Sequence, residues 1–349
     1  MIQQLIECVP NFSEGRDHSV IGQISAAITS VRGVQLLHVD AGMAANRTVM
    51  TFVGAPAAVV EAAFRGIQKA AELIDMRQQT GEHPRIGATD VCPLVPIAHI
   101  SLAETAEWAR QLGERVGKLL AIPVFLYEAA ATRPERRNLA VIRAGEYEGL
   151  ATKIQHADWI PDFGGTVFNA QAGATVIGAR DFLAAYNVNL STKNVKIAHD
   201  IACDVRERGR ILTDEKGDKM VDERGKPVRQ AGLCKSVKAI GWYIEEYGLA
   251  QVSMNLTNLS VTPLHIAFDA CCLSAEKYGV RVTGSELIGL LPKFVLVEAG
   301  QYFLIKQGRD LGVSEAEIID FAVKTLGLGQ LKPFNPHERI IEYLLSSLP

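Results

Sequence analysis

The sequence predicts an α+β fold made of two ferredoxin-like βαββαβ subdomains with a ligand cleft between them. With 349 residues, the chain exceeds what one hydrophobic core usually organises, so two cores are expected. The order of strand and helix patterns is the same in both halves, and each half has two consecutive strands in its middle. Helices on one face of an antiparallel sheet give this order, and the cleft between two such subdomains is the natural ligand site.

The elements of the first half follow from hydrophobic periodicity and turn residues. Val60, Phe64 and Ile67 recur at helical spacing, and Gly42 and Asn46 are typical of a turn that joins two strands. In chain order, the sequence predicts a strand at 5–12 ending at Pro10, a helix at 18–30, strands at 34–42 and 47–54, a helix at 57–76, a strand at 91–97, a helix at 102–120 and a strand at 122–128.

The second half repeats the pattern. Pro263 favours a helix start, because the first turn of a helix does not need its N–H. The predicted elements are a strand at 182–190, a helix at 193–207, strands at 237–244 and 250–258, a helix from 263 and a strand at 280–289. We therefore predict an N-terminal subdomain at 1–180, a C-terminal subdomain at 181–326 and a tail at 327–349 with a short helix from about 336.

Residues 208–232 interrupt this repeat with many charges and few apolar side chains. The pattern predicts an exposed hairpin or a mobile loop. A solvated insertion is the simpler explanation, and a lid or a dimer arm is the alternative.

The composition favours a small-molecule partner over a polymer or a membrane. The net charge is -3, which gives no electrostatic footprint for nucleic acid or an anionic membrane. No apolar run reaches the roughly 18 residues of a membrane span, and the start lacks the basic region of a signal peptide. The six cysteines show no CxxC spacing and the eight histidines no HxH or HExxH spacing. We expect a cytoplasmic chain with reduced thiols and no metal.

His83 is the first candidate for chemistry. It lies in GEHPR, between Glu82 and Pro84, and a histidine with a pKa of about 6.5 can both take and return a proton at cellular pH. Pro84 favours an extended conformation at residue 83, which exposes the ring. The alternative is an ordinary surface-loop histidine.

Asp40 and Arg47 form a second polar cluster, where one hairpin strand ends and the next begins. Asp40 could orient a catalytic base or accept a proton from an amidine. Arg47, like Arg85 beside His83, could clamp a carboxylate through its two parallel N–H groups. A hairpin salt bridge would explain Asp40 and Arg47 equally well.

A glycine-rich stretch at 158–180 could approach a flat ligand through its backbone. Its glycine spacing matches neither a phosphate loop nor a dinucleotide fingerprint. Its position between the two repeats also fits an interdomain linker. A serine hydrolase is a poor fit, because the sequence has no GxSxG motif.

Over essentially the whole chain, the sequence resembles the glutamate formimidoyltransferase family, which in animals is fused to a cyclodeaminase that we do not expect here. The resemblance is carried by ECVPNFSEG (7–15), DAGMAANRTVMTFVG (40–54), GEHPRIGATDVCPLVP (81–96), IRAGEYEGL (142–150), ADWIPDFG (157–164), GATVIGAR (173–180), GWYIEEYGLAQVSMNL (241–256), TGSELIGLLP (283–292) and PHERIIEYL (336–344).

The resemblance implies transfer of a formimidoyl group from N-formimidoylglutamate to N5 of tetrahydrofolate, the co-substrate, in histidine degradation. It implies that His83 is catalytic and that the protein is a homodimer. It also implies a folate-binding segment, which here consists of Gly164, Gly165, Thr166, Val167, Phe168, Asn169, Ala170, Gln171, Ala172 and Gly173. The proline and tryptophan of animal members are absent from that segment, so backbone contacts are expected rather than stacking on the tryptophan.

Two other functions remain open. An N-formylglutamate-dependent transferase would act on a donor that differs only in O for NH, and Asp40 is the residue to watch because a carboxylate accepts from an amidine N–H but repels a carbonyl oxygen. A folate-binding protein without turnover is the other alternative, against which His83 and its charged neighbours argue.

Overall fold

The fold is described from a computed structural model that defines residues 4–346. The chain is a mixed α+β protein. It separates into two compact units, Met1–Asp181 and Phe182–Pro349, and each unit has a main sheet with helices packed on it.

The first unit holds seven strands and five α-helices among its described residues. The strands are β1 (Leu5–Cys8), β2 (Asn11–Phe12), β3 (Val34–Gly42), β4 (Arg47–Gly54), β5 (Thr89–Ala98), β6 (Val124–Glu128) and β7 (Thr175–Ala179). The helices are α1 (His18–Thr29), α2 (Pro56–Leu73), α3 (Leu102–Leu120), α4 (Leu139–Arg143) and α5 (Glu146–Lys153), with short 3-10 helices at Pro134–Arg137 and Ala157–Trp159.

The strands of this unit form one sheet. The predicted strand at 5–12 is divided at Pro10 into β1 and β2, and both pieces pair antiparallel with β4 and β5. β3 pairs with β4 at one edge. At the other side, β7 lies between β5 and β6 and runs parallel to both.

The parallel end of the sheet corrects the sequence prediction of a purely antiparallel arrangement. Residues 175–179 belong to the stretch interpreted as a glycine-rich linker, yet all five are buried in β7. A strand buried on both faces is a short apolar run without alternation, so it lacks the period-2 signal of an exposed strand.

Two layers cover this sheet. On one face, α1, α2 and α3 pack on a core that includes Ile24, Phe52, Leu94 and Leu112. On the opposite face of β5, β7 and β6, the segment containing α4 and α5 covers a smaller apolar cluster that includes Phe125, Ile142, Leu150 and Val176. Through this second layer, the segment that follows β6 stays in contact with the sheet near the ends of the strands where the candidate site lies.

The second unit has a four-stranded antiparallel sheet in the order β11-β12-β8-β13. Its strands are β8 (Ala184–Leu190), β9 (Arg210–Ile211), β10 (Arg229–Gln230), β11 (Val237–Ile244), β12 (Leu249–Leu256) and β13 (Val282–Ile288). Its helices are α6 (Val195–Val205), α7 (Leu264–Lys277), α8 (Lys293–Lys306), α9 (Glu315–Leu326), α10 (Pro336–Arg339) and α11 (Ile341–Ser346).

The charged insertion takes the hairpin form, one of the two that the sequence predicts. β9 and β10 pair antiparallel at its base, and the residues beyond them, 213–227, are exposed. Two further helices, α8 and α9, are not among the elements predicted from the sequence. These two helices approach closely at Gly300, where an added Cβ would lie 2.2 Å from the Ile318 carbonyl oxygen. The predicted tail helix is present from residue 336 and is interrupted at Ile340.

Among residues 4–346, none of the helices combines the length and the apolar character required to span a membrane.

Candidate active site

His83 lies in the loop that connects α2 to β5, and its ring is half-buried. Its Nδ1 is 2.8 Å from the carbonyl oxygen of Pro84. Because a carbonyl can only accept, Nδ1 carries the proton and Nε2 carries the lone pair. In the part of the chain that the structure defines, Nε2 has no hydrogen-bond partner, so it can accept a proton from another molecule.

The loop of His83 is held by the turn between β3 and β4. Asn46 in that turn donates from Nδ2 to the Thr80 carbonyl oxygen at 2.9 Å and accepts at Oδ1 from the backbone N–H of Gly15. Gln79 donates back to the Asn46 carbonyl oxygen at 3.1 Å. At Gly81 the two loops are so close that an added Cβ would lie 2.3 Å from the Ala45 carbonyl oxygen.

Asp90 is the buried carboxylate of this site, and it binds two arginines. Oδ2 accepts from Arg47 Nη1 at 2.7 Å and from Arg143 Nη2 at 2.5 Å, while Oδ1 accepts from Arg143 Nε and from the Ile86 N–H. Burial acts to raise the pKa of Asp90, but the charges of Arg143 and Arg47 outweigh it and lower the pKa to about 2. One carboxylate between two guanidinium groups leaves the cluster with a net positive charge.

The positive cluster acts on His83. Burial and then the charges of Arg47 and Arg143 lower the pKa of His83 to about 3, against the smaller opposing effect of Asp90. The ring is therefore neutral at physiological pH, as a proton acceptor must be.

Arg47 and Arg143 each keep part of their guanidinium available. Arg47 donates from Nε to Asn11 Oδ1 at 3.0 Å and from Nη1 to Asp90, and burial lowers its pKa to about 10, so it stays charged at pH 7. Arg143 uses Nε and Nη2. Among the described residues, Arg47 Nη2 and Arg143 Nη1 have no partner. These are the N–H groups that could receive a carboxylate.

Arg85 makes a separate set of contacts. Its Nη2 and Nη1 donate to the two carboxylate oxygens of Glu148 at 2.7 and 2.9 Å, and Nη1 also reaches Glu146 at 3.2 Å. Nε donates to Gln79 Oε1. A cavity of about 450 Å³ lies beside these groups, lined in part by Arg85, Glu146 and Glu148.

The glycine-rich stretch is anchored to the strand entry that follows His83. The Ala88 N–H donates to the Ala172 carbonyl oxygen at 2.8 Å, and the Ala174 N–H donates to the Ile86 carbonyl oxygen at 3.0 Å. Gly173 has a φ of +68°, and an added Cβ there would lie 2.2 Å from the Ile86 carbonyl oxygen. Only glycine fits this contact.

The stretch from Gly164 to Gly173 also offers side chains to a ligand. Phe168 packs against Tyr147 with ring centroids 5.6 Å apart, and the Tyr147 hydroxyl donates to the Ala170 carbonyl oxygen at 2.6 Å. Val167 is 80% exposed. An exposed apolar side chain beside an aromatic pair is suited to the face of a planar ring.

Asp40 lies on β3 opposite Val49 of β4, which in turn is opposite Asn11 of β2. Cross-strand partners face the same side of a sheet, so Asp40 shares a face with Asn11, the partner of Arg47. Two strand spacings separate them, roughly 10 Å.

The structure thus brings His83, Arg47 and the glycine-rich stretch into one region of the first unit, together with Asp90 and Arg143. Neither Asp90 nor Arg143 is assigned a role from the sequence alone. Their pairing spans 53 residues, and no local pattern could reveal it. Among residues 4–346, no group of three or more His, Cys, Asp or Glu side chains is arranged to hold a metal ion.

The chain matches two family models. Residues 5–180 match the formiminotransferase domain, N-terminal subdomain, and residues 185–346 match the formiminotransferase domain.

Three relatives illustrate the similarity to whole proteins. The chain is 46% identical to the formimidoyltransferase-cyclodeaminase of Gallus gallus over 99% of its own length, and it spans 60% of that relative. It is 43% identical to the glutamate formimidoyltransferase of Streptococcus pyogenes serotype M1, with 86% of this chain and 93% of the relative covered. The identity to the glutamate formimidoyltransferase of Thermoplasma acidophilum is also 43%, covering 88% of this chain and 95% of the relative.

Proposed function

The chain belongs to the formiminotransferase family, and on this premise we propose that it transfers the formimidoyl group of N-formimidoyl-L-glutamate to N5 of tetrahydrofolate. The products are 5-formimidoyltetrahydrofolate and L-glutamate, and the pathway is histidine degradation. The observation that carries the proposal is the neutral imidazole of His83, with its proton fixed on Nδ1 by Pro84 and its Nε2 without a partner among the described residues.

The reaction needs one group that both accepts and returns a proton. N5 of tetrahydrofolate attacks the carbon of the protonated formimidoyl group. The new C–N bond forms as the electron pair of the C=N bond moves to the imino nitrogen, and the positive charge passes to N5. His83 Nε2 takes the proton from N5. The same proton then passes to the glutamate nitrogen. The electron pair on the imino nitrogen re-forms the C=N bond as the bond to the glutamate nitrogen breaks, and glutamate leaves as an amine. No oxidation or reduction takes place.

The substrate itself would help His83 to carry the proton. The pKa of about 3 is set by burial and by the charges of Arg47 and Arg143. A substrate carboxylate bound near these guanidinium groups would offset part of their charge and raise the pKa of His83 towards neutrality. The imidazole would then become more basic when the donor binds, so His83 would accept a proton most readily when the substrate is present.

Arg47 and Arg85 are the proposed ligands of the donor carboxylates. For Arg47, support comes from its partner-free Nη2 and its place beside Asp90. Arg85 already binds Glu148 and Glu146, whose side chains are 65% and 44% exposed. A substrate carboxylate would have to replace one of these glutamates, which are free to move into water.

Folate binding is proposed for Gly164–Gly173, and Asp40 is proposed to act on the amidine together with His83. The proposal for the segment is supported by its hydrogen bonds to residues 86–88 and by the exposed Val167 next to Phe168. Asp40 is supported by its position on the same sheet face as Asn11. A carboxylate there could accept a hydrogen bond from the amidine of the donor.

The magnitudes indicate that positioning matters more than proton transfer. A well-placed acid/base group contributes about 10²–10⁴-fold to the rate. Holding two substrates in reactive geometry contributes roughly 7–11 kcal/mol, which is several powers of ten more. We therefore expect the loss of His83 to slow the enzyme strongly without abolishing substrate binding.

We further propose that each unit is an elaborated ferredoxin-like subdomain and that the protein is a cytoplasmic homodimer. The strand orders support the first point, since β11-β12-β8-β13 and β3-β4-β1-β5 both follow the ferredoxin-like arrangement, with β7 and β6 added to the second. All six cysteines are free thiols, in agreement with a reducing compartment.

The test is to incubate the purified protein with tetrahydrofolate and either N-formimidoylglutamate or N-formylglutamate, and to identify the folate product by mass spectrometry. The proposal expects 5-formimidoyltetrahydrofolate and stoichiometric glutamate from the first donor. Turnover of the formyl donor alone would overturn the choice of substrate, and folate binding without turnover of either donor would overturn the assignment as an enzyme.

A further inference from the structure

A second cavity, lined by several arginines, lies in the second unit, where the charged hairpin joins α6. Its volume is about 340 Å³, a size that is common for small-molecule sites. Four guanidinium groups, one carboxylate, one thiol and one imidazole line it, together with Ile211. These polar groups belong to Arg206, Arg208, Arg210, Arg229, Asp200, Cys203 and His199. None of them belongs to the candidate active site.

Two of the four arginines are already committed to the protein. Arg210 donates from Nη2 to Asp204 at 2.5 Å and to the Tyr278 hydroxyl at 3.0 Å. Arg206 donates to the carbonyl oxygens of Gly209 and Ala239, and its Nη2 lies 3.0 Å from Cys203 Sγ. These contacts fix one wall of the cavity.

The acids near the cavity are also occupied. Asp200 forms an ion pair with Lys196 at 2.9 Å. Asp204 accepts from Arg210 and from the Ser274 hydroxyl at 2.8 Å. Asp200 also lies 3.9 Å from Arg210, so both carboxylates are paired with groups other than Arg208 and Arg229.

The positive charges of Arg208 and Arg229 are not balanced by a paired carboxylate among the described residues. In the described part of the chain, neither guanidinium makes a hydrogen bond or an ion pair, although both line the same cavity. Burial and then the charges of Arg208 and Arg206 lower the pKa of Arg229. Converging like charges are unfavourable unless an anion lies between them.

We propose that this cavity binds a small phosphate-bearing metabolite, with its phosphate between the guanidinium groups of Arg208 and Arg229. A phosphate dianion can offset both charges, whereas one carboxylate offsets a single charge. The planar guanidinium fork also matches the spacing of phosphate oxygens. The remaining volume accommodates the organic part of the ligand.

Ligand binding at this site would affect the hairpin, because the two arginines lie on opposite sides of the hairpin base. Arg208 lies two residues before β9, and Arg229 begins β10, the strand that pairs with β9 at the hairpin base. A phosphate bound to both residues joins the two stems of the hairpin. Binding should therefore slow cleavage by trypsin after exposed residues such as Lys216 and Lys219.

The test uses inorganic phosphate and phenyl phosphate as probes, with glutarate as the dicarboxylate comparison. Isothermal titration calorimetry of the whole chain should detect one phosphate site. Alkylation of Cys203, followed by peptide mass spectrometry, should become slower when that site is filled. Glutarate should bind at least about tenfold more weakly than phenyl phosphate, and equal or tighter binding of glutarate would overturn the phosphate assignment.

A matched pair of variants locates the site. Arg208→Ala/Arg229→Ala should weaken phosphate binding by about tenfold or more and abolish the protection of Cys203. The control Arg224→Ala/Lys226→Ala removes the same charge from the exposed end of the hairpin and should leave both unchanged. If the first double variant does not fold, the single variants Arg208→Gln and Arg229→Gln serve instead. Unchanged affinity in the folded cavity variants, or equal loss in the control, would overturn the proposal.

Discussion

At the scale of single residues, the charge around His83 depends on a buried ion cluster. Asp90 is inaccessible to solvent and shares its carboxylate between Arg47 and Arg143. Removing Asp90 would leave the charges of both arginines uncompensated, which is strongly destabilising. The cluster therefore both holds the strand entry in place and sets the protonation of the neighbouring imidazole.

Arg143 provides a test of this electrostatic control. Its charge lowers the pKa of His83, and His83 must be neutral to accept a proton. Arg143→Gln should therefore raise the pKa of His83 and move the acid limb of the pH profile of kcat/KM to higher pH. Arg143→Lys keeps the charge and should retain most of the wild-type profile. If the acid limb of the kcat/KM profile does not move in Arg143→Gln, or if it moves equally in Arg143→Lys, the charge of Arg143 does not control the pKa of His83.

Some residues of the candidate site can be singled out from the sequence, and others cannot. His83 stands out because a histidine in a charged loop before an apolar strand is a local pattern. Asp90 and Arg143 do not, because their role depends on a pairing between β5 and the end of α4. Arg85 could be singled out by its position, but its engagement with Glu146 and Glu148 depends on where α5 packs.

At the scale of elements, the glycine-rich stretch is defined by its contact with the start of β5. Gly173 combines a φ of +68° with a Cβ position only 2.2 Å from the Ile86 carbonyl oxygen. The stretch therefore cannot keep its present path with a larger residue at this position. Since Ile86 is three residues from His83, a displacement here would reach the loop that carries His83.

Gly173→Ala should lower the melting temperature by several degrees, because a strained backbone conformation and a backbone clash together cost on the order of 1–3 kcal/mol or more. It should also weaken tetrahydrofolate binding. Gly165→Ala is the matched control, because Gly165 also has a positive φ, +71°, but open space at the Cβ position. Equal melting temperatures for the two variants would show that the contact with Ile86 is unimportant. Scanning calorimetry and a folate titration measure both effects.

Most elements could be predicted from periodicity, and the failures share a physical cause. The amphipathic α2 and the hairpin strands β3 and β4 carry clear period signals, and the predictions for them differ from the structure by three residues at most. β7 was missed because a central parallel strand is apolar on both faces. α4 and α5 are only 5 and 8 residues long, too short for a reliable helical period.

At the scale of the whole molecule, the second unit has a core built from its own residues. The cluster extends from Ala184 on β8 to Ile340 near the chain end and includes side chains from all four strands of its sheet. A unit of this size can bury enough apolar surface to be stable. The unit should therefore fold without the first one.

A fragment of residues 182–349 should give a cooperative thermal transition and native-like near-ultraviolet circular dichroism. It should show no transfer activity, because His83, Arg47 and Gly164–Gly173 all belong to the first unit. A non-cooperative melt, or a fragment that binds hydrophobic dyes and lacks fixed tertiary structure, would show that the second core depends on the rest of the chain.

The central claim is that one imidazole carries the proton from N5 of tetrahydrofolate to the leaving glutamate. The most direct measurement is the kcat of His83→Ala in formimidoyl transfer, together with its dissociation constant for tetrahydrofolate. We expect kcat to fall by about 10²–10⁴-fold while the dissociation constant stays within about threefold of the wild-type value. A variant that keeps the wild-type kcat would contradict the assignment of His83 as the proton carrier.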